Sequence, residues 1–354
     1  MSSAAALLAL LLASTALSQE APAPSTWTFA VSGDSRNCGD VVMPGIAKKV
    51  LASQAAFYWH LGDLRAMYKV DEDILQSRDW RRSRFALGEY HKTAWQDFID
   101  HQIKPFGNLP FFVGIGNHEM IRPKTRPEFV ATFAPWLDAP VLREQRLRDD
   151  PKDTKAGTYY HWLKGGVDFI NLDNATEDQF DDVQLAWFER VLARDEADPA
   201  VKTVVVGMHE ALPGSLSHSH SMEQSSRGWK SGAQVYKDLL RTRDQAKKNV
   251  YVLASHSHFY MNGTFNTEYW RGHGGVLPGW IVGTAGAVRY SLPPHSSQAV
   301  EAKTKVYGYL LAAVAPSGEI RFDFQELSES DMPAETAARF DDGLVHWCFA
   351  KNAQ

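Results

Sequence analysis

The stretch Phe111-Phe112-Val113-Gly114-Ile115-Gly116-Asn117-His118-Glu119 joins a short apolar run to three polar side chains. A run of Phe, Val and Ile after Pro110 predicts a buried strand of a parallel sheet. In open α/β sheets, ligands bind where such strands end. The amide, imidazole and carboxylate of Asn117, His118 and Glu119 therefore indicate a functional site at the end of this strand.

Four other apolar runs end in side chains of the same kinds. They occupy residues 27–33, 57–62, 203–208 and 250–254, and the polar residues that follow or end them are Asp34, Asp63, His209 and the pair His256 and His258. Packing of a core does not explain polar side chains at the ends of five strands. The pattern predicts that these strand ends meet at one site.

The composition is that of a globular protein that can bury a sizeable core. The chain has 354 residues, of which 44% are hydrophobic and 22% are charged. A formal net charge of -5 gives no electrostatic footprint for nucleic acid. A basic cluster at Arg78, Arg81, Arg82 and Arg84 is typical of a solvated helix face, and an anion-steering patch is the alternative.

The N-terminal residues suggest export. Residues 1–18 are typical of a cleaved secretory signal, since the apolar segment 4–13 is shorter than the roughly 20 residues of a bilayer span. A Pro-rich leader, 19–26, follows, and no later stretch is apolar enough to span a membrane. We expect a periplasmic or secreted protein. In such a compartment Cys38 and Cys348 can form a disulfide, with two unpaired thiols as the alternative.

The remaining pattern predicts one catalytic domain over 27–327 with a C-terminal appendage over 328–354. Helical spacing over 44–56 returns the chain to the second strand, and two helices fit the long polar segment 63–110. A charged exposed loop is expected over 143–155, and a hairpin over 157–172. Further helices are predicted over 181–192 and 232–246, followed by C-terminal strands.

The polar residues at the strand ends form a mixed oxygen and nitrogen set that suits Mn, Fe, Zn or similar ions. Two adjacent ions need a shared carboxylate, because one anion must bridge the paired positive charges. Such a pair can clamp the attacking and leaving oxygens of a displacement at phosphorus. A nearby imidazole can then protonate the leaving oxygen.

At these residues the chain resembles the calcineurin-like metallophosphoesterase superfamily. The family's blocks appear in its order over about 27–290: Gly33-Asp34, Gly62-Asp63, Gly116-Asn117-His118-Glu119, His209 and His256-Ser257-His258. The resemblance implies an α/β fold in which a central two-sheet β-sandwich is flanked by helices. It also implies two divalent or trivalent metal ions of the Mn, Fe or Zn kind.

The resemblance further implies a role for each residue of the blocks. Asp63 would bridge the two ions, His118 would lie over the leaving group, and Glu119 would hold the orientation of the His118 ring. The remaining ligands would be Asn117, His209 and His256 for one ion, and Asp34 and His258 for the other.

The first block departs from the family pattern. The family usually has Asp-x-His there, whereas this chain has Asp34-Ser35-Arg36, and an Arg cannot ligate a cation. Purple acid phosphatases also lack that His but place a Tyr where this chain has Ala66, so Asn37, Tyr68 or water could replace the missing ligand. Arg36 could instead bind the substrate phosphate, a catalytic role that suits its planar fork. A surface ion pair is the alternative.

Other polar residues carry weaker signals. His218 and His220 could line the substrate pocket, or belong to a solvated loop. His60 is typical of a core histidine, and Asp173 could support the site or end a turn.

These observations predict a secreted metal-dependent phosphoesterase in which a metal-bound hydroxide attacks a phosphate ester and His118 assists the leaving group. A phosphorylated small molecule or nucleotide is the expected substrate. A degenerate member that binds a phosphorylated ligand or a single metal without turnover is the alternative. The His-x-His-x-Asp-His pattern of metallo-β-lactamases and the Gly-rich loops of nucleotide-binding proteins do not occur in the sequence.

Overall fold

A computed structural model describes residues 26–77, 86–176, 179–340 and 342–354. The predicted signal over 1–18, the leader up to residue 25 and the basic cluster over 78–84 lie outside the described residues. Within the described ranges, no helix is both long enough and apolar enough to cross a membrane.

The strands form two mixed sheets. In chain order they are β1 (Trp27–Ser32), β2 (Tyr58–His60), β3 (Phe111–Val113), β4 (Tyr160–Lys164), β5 (Val167–Asn171), β6 (Thr203–Met208), β7 (Asn249–Ala254), β8 (Tyr260–Asn262), β9 (Gly279–Val282), β10 (Glu301–Lys303), β11 (Tyr307–Val314) and β12 (Ile320–Leu327). One sheet has the order β12-β11-β1-β2-β3, and the other has the order β10-β8-β9-β7-β6-β5-β4. Strands β1, β2 and β3 run parallel, as do β5, β6, β7 and β9.

Helices connect the strands. They are α1 (Gly39–Ala52), α2 (Glu72–Gln76), α3 (Leu87–Phe98), α4 (Arg126–Thr132), α5 (Ala134–Leu137), α6 (Pro140–Asp149), α7 (Asp182–Ala197), α8 (Ser226–Asp244), α9 (Glu268–Gly272), α10 (Ala334–Arg339) and α11 (Asp342–Ala350). A π-helical turn, Ile99–Ile103, extends α3.

Two predictions about these elements were wrong. Helix α1 begins at Gly39 and contains Pro44 in its interior, whereas the spacing predicted a start at 44. Helix α6 occupies much of the predicted loop over 143–155. Its sequence is charged because most of its surface faces solvent, while Leu142 and Gln145 are buried.

The two sheets pack face to face through aromatic side chains. Phe29 of β1 and Phe57, which directly precedes β2, both contact Phe169 of β5 in the other sheet. The ring-centroid distances are 5.0 and 5.1 Å. Trp59 packs on Trp162 at 5.2 Å, and its indole N–H donates to Asn171. This interface forms the larger core.

Helices cover the outer faces of both sheets. Val41, Val42 and Ile46 of α1 belong to the larger core, and α7 and α8 pack on β6 and β7 in a second core. The predicted α/β fold, a two-sheet β-sandwich flanked by helices, is therefore confirmed. The same edge of the sandwich receives the carboxyl ends of β1, β2, β3, β6 and β7.

Strand β11 pairs with β1 in the antiparallel sense and so belongs to the sandwich. The C-terminal segment, 342–354, packs on the larger core through Leu344 and Val345. A disulfide joins Cys38, just before α1, to Cys348 in α11. Of the two states that the sequence left open for these cysteines, the structure has the paired one.

Candidate metal centre

The turns after the strands direct their polar side chains to one point. Asp34, Asp63 and His256 each follow a strand and each has a left-handed backbone, with φ values of 60°, 59° and 61°. Such a conformation is uncommon for residues other than glycine and is often found where a turn presents a functional group. The two sheets are also fastened to each other here, since Ser255 Oγ donates to the carbonyl of Leu61.

Asp63 lies at the centre of the cluster. Its Oδ1 is 3.2 Å from His209 Nε2 and accepts the backbone N–H of His118 at 3.0 Å. Two groups of potential ligand atoms, each within 4.8 Å of one another, share Asp63: Asp63 with His209 and His256, and Asp63 with Asp34 and His258. All of the predicted ligand residues therefore lie together, with Asn117 beside His209.

Backbone carbonyls fix the orientation of two of the imidazoles. His209 Nδ1 lies 3.0 Å from the carbonyl of Leu61, and His258 Nδ1 lies 2.7 Å from that of Val288. A carbonyl only accepts, so each Nδ1 carries the proton and each Nε2 presents a lone pair to the site. Histidines that ligate metals are commonly held in this way.

The group around His209 fits a cation. His209 Nε2 lies 3.0 Å from Asn117 Oδ1, 3.0 Å from His256 Nδ1 and 3.2 Å from Asp63 Oδ1. Four atoms with lone pairs thus converge on one point, which is favourable only with positive charge between them. Burial opposes a charge on His209, whereas Asp63 raises the pKa of His209 to about 10, so Asp63 favours positive charge at this point.

The group around Asp34 differs because Arg36 enters it. Arg36 is 6% exposed, its Nη2 lies 3.0 Å from His258 Nε2, and its Nε lies 3.5 Å from Asp63 Oδ2. Burial opposes its charge, but Asp63 and Asp34 hold the pKa of Arg36 above its ordinary value. The alternative of a surface ion pair is therefore wrong. This group does not fit a metal ion as it stands, since a guanidinium donates to its imidazole lone pair.

The charge states of Asp63 and His256 also suit the binding of a cation. Burial would raise the pKa of Asp63, but His118 and His209 hold it well below its ordinary value. Burial and then His209 hold the pKa of His256 well below its ordinary value. Asp63 is thus an anion and His256 a neutral imidazole, the forms in which each can ligate a cation.

His118 faces the same cluster from a short 3-10 turn, Asn117–Met120. Its Nδ1 lies 2.5 Å from the carbonyl of Ala66, and its Nε2 lies 3.6 Å from Asp63 Oδ2. The residue is 7% exposed, and burial lowers the pKa of His118. Tyr68 covers it at a ring-centroid distance of 5.4 Å.

Glu119 does not hold the His118 ring, contrary to the role that the resemblance implied. Its carboxylate accepts the backbone N–H groups of Asp63, Leu64 and Gly116 at 2.8–2.9 Å. Burial and Asp63 raise the pKa of Glu119 to about 8, against the effect of these donors. Glu119 therefore positions the turn that carries Asp63, and Ala66 orients the imidazole instead.

Of the residues suggested as substitute ligands, neither completes the Asp34 group in this structure. The side-chain amide of Asn37 is directed to Glu72, 3.5 Å away. Tyr68 lies over His118 with half of its surface exposed, at 52%.

Several residues of the site carried no clear signal in the sequence. The ring of Tyr290 packs against that of His258, with centroids 4.0 Å apart, and also faces His220 at 5.2 Å. Glu210 Oε1 lies 3.8 Å from His256 Nε2, and Ser255 lies 3.1 Å from His209 Nδ1. Glu210 and Ser255 adjoin predicted ligands in sequence, which is the one hint available, whereas nothing in the sequence marks Tyr290.

The weaker candidates divide. His220 lies near the site, with its ring 5.6 Å from that of His256, whereas His218 is exposed and pairs with Glu223. His60 is a buried core residue that bonds Ser35. Asp173 binds Arg126 and Thr158 away from the ligand cluster.

The sequence matches the model of a known protein family. A family model described as calcineurin-like phosphoesterase matches residues 45–260, which begins after Asp34 and Arg36. No curated protein matches the sequence.

Three solved structures share the fold at low sequence identity. A purple acid phosphatase from yellow lupin (Lupinus luteus) seeds has a TM-score of 0.56 and 14% identity over 85% of this chain and 52% of its own. A PhoD structure has a TM-score of 0.55 and 16% identity over 85% of this chain and 68% of its own. GAP50, described as the anchor in the inner membrane complex of Plasmodium, has a TM-score of 0.50 and 12% identity over 85% and 84%. The chain spans about half the length of the lupin protein.

Proposed function

The chain belongs to the calcineurin-like phosphoesterase family, and on that premise we propose that it is a metal-dependent hydrolase of phosphate esters. One observation carries the proposal: lone pairs of Asp63, Asn117, His209 and His256 converge beside the imidazole of His118. A cation-binding group and a proton donor within reach of one phosphate are what ester hydrolysis requires.

The residues of the centre divide the work. An ion of the Mn, Fe or Zn kind, held by Asp63, Asn117, His209 and His256, would supply Lewis acidity and lower the pKa of a bound water. His118 keeps its Nδ1 proton on the carbonyl of Ala66 and presents Nε2 to the site. With Nε2 protonated as well, the ring would deliver that second proton to the leaving oxygen and return to the neutral form, while Glu119 holds the Asp63 turn in place.

A phosphorylated small molecule or nucleotide is the substrate class that we propose. The rim of the centre contains Tyr68, His220 and Tyr290, whose rings lie beside His118, His256 and His258. Aromatic and imidazole rings around a phosphate site suit the organic part of such an ester.

Secretion belongs to the proposal as well. The disulfide between Cys38 and Cys348 supports it, because disulfides persist in oxidising compartments. Fractionation of cells that express the full chain, with the N-terminus of the recovered protein sequenced, tests this part. Protein that stays in the cytoplasm with an intact N-terminus would overturn it.

Hydrolysis of p-nitrophenyl phosphate and bis-p-nitrophenyl phosphate, with Mn²⁺, Fe²⁺ or Zn²⁺ added in turn, tests the activity. We expect turnover that a chelator removes and that the added ion restores, and the preferred ester distinguishes monoesterase from diesterase. The matched control is His209→Ala, which removes the central ligand and should abolish both ion binding and turnover. Ion binding without turnover of either ester would favour the alternative, a phosphate-binding protein that does not catalyse.

That alternative has some support, because the fold alone does not guarantee catalysis. GAP50 shares the fold and is described as an anchor. In this chain, Arg36 contacts His258 of the Asp34 group. The centre therefore departs from the family pattern at a residue that contacts the candidate ligands directly.

A further inference from the structure

Arg36 occupies the space that a second ion would need. Asp34 Oδ1 and His258 Nε2 lie 3.2 Å apart, and Arg36 Nη2 lies 3.0 Å from that nitrogen. On the other side Arg36 Nε lies 3.5 Å from Asp63 Oδ2. The guanidinium therefore lies among the three side chains that form the Asp34 group.

The guanidinium uses the lone pair that an ion would require. His258 Nδ1 faces the carbonyl of Val288, so Nε2 is the nitrogen with the lone pair, and Arg36 Nη2 can only donate to it. One lone pair cannot bind an ion and accept this hydrogen bond together. An Arg is always charged, so it also repels a second cation at this distance.

The backbone holds Arg36 at this position. Ser35 N donates to the carbonyl of Asp63, and Asn37 N donates to Asp71 Oδ1 at 2.6 Å. The next residue, Cys38, is tied to Cys348. Residues on both sides of Arg36 are thus fixed, and its side chain is buried.

The neighbouring group around His209 has no such obstacle. Among the described residues, no Lys or Arg nitrogen contacts Asn117, His209 or His256, and their lone pairs face one another. The two halves of the centre therefore differ. The His209 group offers acceptor atoms and no guanidinium or ammonium among the described residues, whereas the Asp34 group contains the guanidinium of Arg36.

We propose that the guanidinium of Arg36 takes the place of one of the two metal ions, so that the chain holds a single ion at Asp63, Asn117, His209 and His256. Arg36 supplies the second positive charge of the centre and partly neutralises Asp34 and Asp63. Any contact between Arg36 and a substrate phosphate rests on the proposed function. The number of ions bound per chain does not.

Equilibrium dialysis against Mn²⁺, followed by elemental analysis, tests the proposal on the full chain. We expect about one ion per chain in the wild type and about two in Arg36→His, which places an imidazole in the Asp34 group. Two carboxylate oxygens there, Asp34 Oδ1 and Asp63 Oδ2, have no hydrogen-bond donor among the described residues and are ready to ligate. The matched control is Arg36→Lys, which keeps the charge and should still bind about one ion.

The electron paramagnetic resonance spectrum of bound Mn²⁺ gives a second readout. We expect the signal of isolated Mn²⁺ in the wild type and that of an exchange-coupled pair in Arg36→His. Two ions in the wild type would overturn the proposal, even if the protein hydrolyses phosphate esters. One ion without turnover would support it and would count against the proposed function. A folded Arg36→His that still binds one ion would also overturn it.

Discussion

At the scale of single residues, His118 is the side chain to which the proposed function assigns proton transfer. One ring nitrogen is held by the carbonyl of Ala66, and the other lies 3.6 Å from Asp63 Oδ2. Its ring contributes no atom to the two ligand groups. Removal of the imidazole should therefore affect chemistry and leave ion binding intact.

We expect His118→Asn to lower kcat by about 10²–10⁴-fold, the usual contribution of general acid catalysis. KM and the amount of bound Mn²⁺ should change little, because Asp63, Asn117, His209 and His256 remain. The measurement is steady-state hydrolysis of p-nitrophenyl phosphate with elemental analysis of the same sample. An exposed histidine provides the control, since His273→Asn should leave kcat unchanged. A His118→Asn enzyme with wild-type kcat would exclude the proposed role.

Gly116 allows the close approach on which the ligand cluster depends. A Cβ at this position would overlap Asp63 Oδ1, lie 2.5 Å from the backbone nitrogen of Asp63 and lie 2.9 Å from His209 Cε1. We expect Gly116→Ala to weaken Mn²⁺ binding by about 10–100-fold, as loss of the groups that orient ligands does. Calorimetric titration with Mn²⁺ measures this.

Gly88→Ala is the matched control for Gly116→Ala. A Cβ at Gly88 meets nothing within 4 Å, and Ala favours the helix that Gly88 helps to begin. Its Mn²⁺ affinity should equal that of the wild type. If Gly116→Ala also binds Mn²⁺ with wild-type affinity, the Asp63 turn can shift to accept the added Cβ without a loss of ion binding.

That the candidate ligand residues lie together could be predicted from the sequence, whereas the contacts that support them could not. Asp34, Asp63 and the His-x-His pair follow strands, and that local pattern is visible in one chain. The position of Glu119 on the Asp63 turn depends on how two loops pack, which no spacing reveals. Arg36 could be identified as a departure, but only the structure shows its contact with His258.

At the scale of elements, the largest difference between sequence and structure is α6. Charged residues over 143–155 indicated a loop, but a helix that packs one face on β4 can be charged elsewhere. Asp149 at the end of this helix and Asp168 of β5 both contact His161 of β4. A buried ion network thus holds α6 to the sheet.

His161 should make folding stability depend on pH. Burial opposes its charge, but Asp168 and Asp149 raise the pKa of His161 to about 10, above its ordinary value of about 6.5. The folded state therefore binds the proton more tightly than the unfolded state. Its contribution is fully present below about pH 6.5 and is lost as the pH rises through about 10. Asp195 acts in the same direction, because burial and Asp168 raise its pKa to about 9.

We expect His161→Gln to lower the free energy of unfolding by about 3 kcal/mol near pH 6, because it leaves a buried carboxylate without its cation. The difference from the wild type should shrink towards pH 10, where the wild-type imidazole also loses its charge. Urea denaturation at several pH values measures both. An exposed residue, His273→Gln, should show no such dependence. A difference that stays constant with pH would contradict the role of the charge.

At the scale of the whole molecule, the C-terminal segment closes the fold around the candidate centre. The guanidinium of Arg289 donates to the backbone carbonyls of Asn352 and Cys348. Its neighbours in sequence, Val288 and Tyr290, contact the His258 ring. The segment is thus connected to the wall of the site through 288–290 and to the Arg36 loop through Cys38.

This connection predicts a large effect of the disulfide on stability. The bond between Cys38 and Cys348 closes a loop over a sequence separation of 310 residues. Long loops gain the most from closure, because the cross-link removes much of the entropy of the unfolded chain. We expect the double variant Cys38→Ser with Cys348→Ser to lose about 3–5 kcal/mol of unfolding free energy.

Guanidinium denaturation with and without dithiothreitol separates the bond from the substitution. The reductant should destabilise the wild type by about the same amount as the double variant loses, and it should leave the double variant unchanged. The double variant should also be cleaved sooner by protease near the Arg36 loop, since residue 38 then has no covalent bond to α11. Equal denaturation midpoints for all samples would show that the packing of Arg289 and β11, without the disulfide, already fixes the C-terminal segment.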